Sequence, residues 1–217
     1  MGEYIKPGIR ASYVYQDNVL MCWAGVGLTM WRSRHGKGGP GHSLDELFAR
    51  QGGGRYLQIL NYIALLNEEL GGGMDLSRLP TAEATVRGQH PEFRNVPSGL
   101  PDTWADGFFT WLGCRSDPLD ATVSASDLKA MIRNNGPIAI FTRNPGHLQI
   151  LVGYWEAAGH EDKPQVILFN PERYILEMER RNDPSLDPSV VREDRLLWEH
   201  WQAYYCGNLV DGKGWHY

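Results

Sequence analysis

A chain of 217 residues, 42% of them apolar, is long enough to bury a core without disulfide or metal staples. No stretch approaches the roughly eighteen uninterrupted apolar residues of a membrane span. The formal charge of −5 comes from interspersed acidic and basic residues, so no basic face is set aside for phosphates and nucleic acid is excluded as the main partner.

The amino-terminal MGEYIKPGIR has no apolar h-region, which argues against a Sec signal peptide. Lys6 breaks the myristoylation pattern that Gly2 would open. A first helix is expected to start around Asn18 to Met21 and to run through CWAGVGLTMWRSR, with Arg32 and Arg34 in its last turn and Gly36 as its stop. HGKGGPGH follows; it lacks phosphate-loop spacing and reads as a connection. Ser43 and Glu46 form a capping box opening LDELFARQ. RYLQILNYIALLNEEL carries Leu57, Leu60, Ile63, Ala64 and Leu70 at helical spacing and ends in glycines. Residues 74–101, rich in Pro, Gly and Ser, read as a long surface excursion with room for a short helix. DTWADGFFTWLGC is expected to be helical, capped by Asp102 or Thr103.

The second half changes character. Ser124 or Ser126 caps DLKAMIRNN, and Gly136-Pro137 stops it. PIAIFTRN, HLQILVGYWE and QVILFNPE are short, branched and separated by turn residues, so they read as neighbouring antiparallel strands. Residues 177–194 form a charged, solvated loop, and LLWEHWQAYY leans to helix over strand. Helices first and strands after predict an α+β fold: one domain over 1–217, with a helical lobe at about 12–135 and a sheet lobe at about 136–217.

The three cysteines, Cys22, Cys114 and Cys206, are too few and too widely spaced for a disulfide framework or a zinc site. Cys114 and Cys206 either bridge or remain buried thiols, the second being favoured. Cys22 differs because it stands at the expected amino-terminal turn of a helix, where unpaired N–H groups and the dipole favour a thiolate. His147 opens a strand after Asn144-Pro145-Gly146, at a boundary where an imidazole can face a cleft and take the thiol proton. Asn170 ends QVILF; if the two strands pair, it can orient that imidazole, with Glu172 as the weaker candidate for the same role. Gln16, six positions before Cys22, can supply an amide to an oxyanion. His35, His42, His90, His160, His200 and His216 show no metal-ligand spacing, and no metal or cofactor is expected.

Gln16, Cys22-Trp23-Ala24, Gly146-His147 leading into Leu151-Val152-Gly153-Tyr154, and Phe169-Asn170-Pro171 together resemble the papain-like cysteine peptidases. His147 and Asn170 lie 125 and 148 positions after Cys22, close to the roughly 130 to 150 of the papain type. Within the clan the helix, Gly-Pro-strand, Gly-His-strand and strand-Asn-Pro sequence is most similar to compact bacterial C39-like and AvrRpt2-type effector proteases. The C-G-[SA]-C-W signature of plant and lysosomal members is absent, since Val19-Leu20-Met21 precedes Cys22.

The resemblance implies a papain-like fold and a cysteine-type hydrolase acting on a peptide or protein substrate, with Cys22, His147, Asn170 and Gln16 in catalysis. The same geometry serves amidases, deamidases and acyltransferases, a cell-wall peptide amidase included, and a catalytically silent binding module is the reading of a different class. Cys22 stands too near Met1 for an inhibitory pro-segment, so a cognate inhibitor or immunity protein, or export as an effector or toxin, is expected to restrain the activity. The expected address is soluble: cytoplasmic, or exported by a specialised secretion system.

Overall fold

A computed structural model describes residues 2–15, 20–36, 43–51, 54–71, 76–144, 146–172 and 193–217. Helices and one antiparallel sheet make an α+β fold, as the order of elements predicts. The strands are β1 (Gly2–Ile5), β2 (Arg115–Pro118), β3 (Ile138–Thr142), β4 (His147–Glu156), β5 (Gln165–Phe169), β6 (Glu193–Leu196) and β7 (Leu209–His216). Their order across the sheet is β2-β7-β3-β4-β5-β6. β4 is long enough to pair with two strands on one side, β3 along His147–Leu151 and β1 along Gly153–Glu156.

The three strands read from the sequence appear as β3, β4 and β5, and their composition explains why they carry almost no polar alternation. Successive side chains enter two separate cores, one on each face of the sheet. Ala139, Phe141, Leu148, Ile150, Ile167 and Phe169 join the larger core, whereas Ile138, Ile140, Leu151, Val166 and Leu168 join the smaller. A strand covered on both sides reads as a continuous apolar run.

The larger core is filled by α1 (Cys22–His35), α2 (Leu44–Gln51), α3 (Gly54–Glu69), α4 (Leu79–Gln89) and α5 (Ala105–Trp111). The smaller core is closed by α6 (Ala125–Asn135) and by a carboxy-terminal helical segment. In that segment one α-turn, Trp198–His200, runs into a π-helical stretch, Trp201–Tyr205. Ser124 caps α6 by accepting the Asp127 N–H at 3.1 Å, and Ser43 accepts the Glu46 N–H at 3.2 Å at the start of α2.

Several expectations shift. Residues 74–101 are not mainly a surface excursion: α4 and two 3₁₀ turns occupy much of them, and Ala82, Val86, Val96 and Leu100 are buried in the larger core. Pro80 sits in the first turn of α4, where a missing N–H costs nothing. A 3₁₀ turn, Asp102–Trp104, precedes α5, and Asp102 accepts the Thr103 N–H at 2.7 Å within it; the residue capping α5 is Trp104, without a side-chain bond. β1 and β2 reach the sheet from outside the 136–217 stretch assigned to it, and residues 193 and 194 begin β6 instead of ending a loop. The rest of the predicted charged loop, 177–192, lies outside the described residues.

Gly153 permits the junction of β1 with β4. A Cβ there would stand 2.1 Å from the Tyr4 carbonyl oxygen and 3.0 Å from Ile5 Cα, both backbone atoms that cannot swing aside. Gly153→Ala is therefore expected to cost about 1–3 kcal/mol in urea unfolding, with loss of hydrogen-exchange protection in β1. Gly99→Ala, with open space around it, should stay within about 0.5 kcal/mol of the parent; equal effects at the two positions would remove the explanation.

Candidate active site

Cys22 is the first residue of α1, so its own N–H belongs to the set without a partner inside the helix. The helix start is pinned from behind by Trp23, fully buried and edge-on to Phe108 at 5.3 Å between ring centroids. Trp23 is thus a core residue. The chain approaching Cys22 is held by its neighbours: the Val14 N–H donates to Thr29 Oγ1 on α1 at 2.9 Å, and Tyr13 stacks flat on Phe169 with centroids 3.8 Å apart. The Tyr13 hydroxyl donates to Glu193 at 2.9 Å, and Arg10 forks onto the same carboxylate at 2.8 and 2.6 Å. Burial and the Glu193 charge push the Tyr13 phenol far above its ordinary range, so it stays a donor.

β4 begins with His147, whose carbonyl accepts the Thr142 hydroxyl at 3.2 Å from β3. Pairing of β5 with β4, Phe169 opposite Ile150, carries the chain after β5 back along β4 toward His147. His147 Nε2 and Asn170 Oδ1 are 2.9 Å apart. The same Oδ1 accepts the Glu172 backbone N–H at 3.1 Å. An atom that receives an obligate donor must be the oxygen of the amide, and an oxygen can only accept, so the proton of this bond resides on Nε2. Nδ1 is left as the ring nitrogen for the thiol.

His147 and Cys22, 125 positions apart in sequence, are brought into side-chain contact. Burial pulls the imidazole toward neutrality, but hydrogen bonding and charge contact with Cys22, the Glu172 carboxylate and the Asn170 bond outweigh it, and the His147 value is pushed up to about 9 from an ordinary 6.5. Its side chain is 13% exposed. Of the four predicted site residues, three come together: Cys22, His147 and Asn170. Gln16 lies outside the described residues. Glu172 does not take the orienting position that was its weaker expectation; Asn170 has it, and Glu172 stands 3.7 Å from Nδ1 instead. The supports Thr29 and Tyr13 were missed. A lone threonine inside the apolar run of α1 was the available signal for the first; the second had none.

The two other cysteines are free and buried, not bridged. Burial pushes each thiol up to about 12, partly offset at Cys114 by contact with Tyr217 and by Arg34, and reinforced at Cys206 by Asp120. His216, likewise buried, is satisfied by Asp117 at 2.8 Å. Iodoacetamide at neutral pH should therefore label Cys22 alone in the native protein, with Cys114 and Cys206 reacting only after denaturation, as read by peptide mass mapping. Equal native labelling of the three would show that position confers nothing on Cys22. Comparison with known proteins returns no matching family model, no matching curated protein and no matching solved structure.

Proposed function

We propose that this chain is a papain-like cysteine hydrolase that cleaves peptide bonds through Cys22, His147 and Asn170. One observation carries the reading: a cysteine at a helix start contacts an imidazole whose far nitrogen is held by an amide oxygen. Nucleophile, base and orienting group in that order are what acyl transfer by a thiol requires. The motif resemblance of Cys22-Trp23-Ala24, Gly146-His147 and Asn170-Pro171 adds the family and the substrate class.

In this mechanism the thiol S–H bond breaks as its proton moves to His147 Nδ1, leaving a thiolate beside an imidazolium. The sulfur attacks the peptide carbonyl carbon, and the carbonyl π pair moves onto oxygen. The Cys22 N–H and the Gln16 amide are the proposed donors to that oxyanion. The oxyanion collapses, the C–N bond breaks, and the Nδ1 proton passes to the departing amine, giving a thioester on Cys22. Water, deprotonated by the now neutral imidazole, attacks the thioester; the acid leaves and the thiol regains its proton. The Asn170 bond keeps one tautomer and one ring direction through both halves. An export route belongs to the same proposal and rests on the resemblance to effector proteases alone.

The test is to incubate a denatured proteome with wild type and with Cys22→Ala, and to sequence newly formed amino termini. Wild type should generate a set that Cys22→Ala, folded by circular dichroism, does not. Gln16→Ala should slow their formation about a hundred-fold. Identical amino termini from wild type and Cys22→Ala would refute peptidase action through this thiol.

A further inference from the structure

Glu172 stands where the proposed mechanism does not use it. It follows Asn170 by two residues, and its N–H is tied to the Asn170 amide oxygen at 3.1 Å. Its carboxylate oxygen is 3.7 Å from His147 Nδ1, beyond hydrogen-bond reach but well inside the range of a strong charge contact. The side chain is only 33% exposed, and among the described residues no lysine or arginine pairs with it.

Among the described residues, α1 brings the Cys22 side chain to the imidazole, and the chain after β5 brings the neutral Asn170 and the Glu172 carboxylate, while the Thr142 hydroxyl reaches only the His147 backbone carbonyl. Once the thiol proton has moved to the ring, a thiolate and the Glu172 carboxylate both face it, and they behave differently during the reaction. When the sulfur attacks, the charge of the thiolate passes to the carbonyl oxygen and the imidazolium loses its partner at the moment it must still carry a proton. The Glu172 charge does not move.

We infer that Glu172 is a positioning residue that keeps His147 protonated on Nδ1 after the thiolate charge is spent, so that the proton is delivered to the leaving amine. The inference rests on the proposed cysteine mechanism and adds a fourth group to it. Glu172 touches neither sulfur nor substrate; it acts through the imidazole, by charge, from a backbone position that the Asn170 bond fixes. Asparagine and glutamate divide the ring between them, one setting its direction through Nε2 and the other its charge through Nδ1.

The experiment is a pH titration of the His147 ring by nuclear magnetic resonance in the whole protein, comparing wild type, Glu172→Gln and Glu172→Asp. Glu172→Gln keeps size and hydrogen bonding but removes the charge, and its midpoint should fall by about one pH unit. Glu172→Asp retains a more distant charge and should recover part of that shift. If Glu172→Gln does not fold, Glu172→Asp carries the test through a smaller fall in the same direction. A midpoint unchanged in every folded variant overturns the inference. This readout needs no substrate, so it fails separately from the function: a proteome uncut by wild type would refute the peptidase and leave the Glu172 contact standing.

Discussion

A single oxygen, Asn170 Oδ1, receives two protons, one from the Glu172 backbone and one from His147 Nε2. The first bond decides which end of the amide faces the ring, and the second decides which nitrogen of the ring is left for the thiol. Both depend on the register of β5 against β4: shifting that pairing by one residue would turn every side chain to the opposite face, and Asn170 would leave His147. The register is in turn fixed by two hydrophobic cores, because each strand residue has a side of the sheet on which it must be buried. The chemistry proposed for Cys22 therefore depends on packing several residues away from it.

The helical half contributes the sulfur and its approach. Trp23 locks the first turn of α1 into the larger core, and Gly27 lets α5 lie close, since a Cβ there would meet the Phe108 ring at 2.6 Å. Leu20, two residues ahead of the cysteine, is held at φ 67, a conformation that an L-residue with a branched side chain adopts only under constraint. Tyr13 spans the two halves: its ring lies on Phe169, next to Asn170, and its hydroxyl reaches Glu193 on β6. Cys22 and Asn170 are thus tied to common neighbours as well as to His147.

What could be read from the sequence follows the same physics. β3, β4 and β5 were legible because burial on both faces leaves unbroken apolar runs, and α1 and α6 because Gly36 and Ser124 mark their ends. β1 and β6 were not legible: GEYI and EDRL are short, partly exposed strands whose composition marks no core. β2, as RSDP, hides behind a proline, and β7 behind Gly212 and Gly214, the latter needed where a Cβ would meet Ile138 at 2.5 Å. α4 was obscured by prolines that read as breakers but serve as starters. At the site, His147 and Asn170 were foreseeable from two strands presumed adjacent; the charge role of Glu172 was not, because a sequence does not say which ring nitrogen a carboxylate faces.

The proposed chemistry needs the coupling of one thiol to one imidazole, and the most direct measurement of that coupling is the rate of Cys22 alkylation by iodoacetamide at pH 7 in wild type and in His147→Ala. Loss of the imidazole should slow the reaction at Cys22 by at least about ten-fold, since the thiolate would lose both its base and its counter-charge. Equal rates in the two proteins, with both folded, would contradict the account.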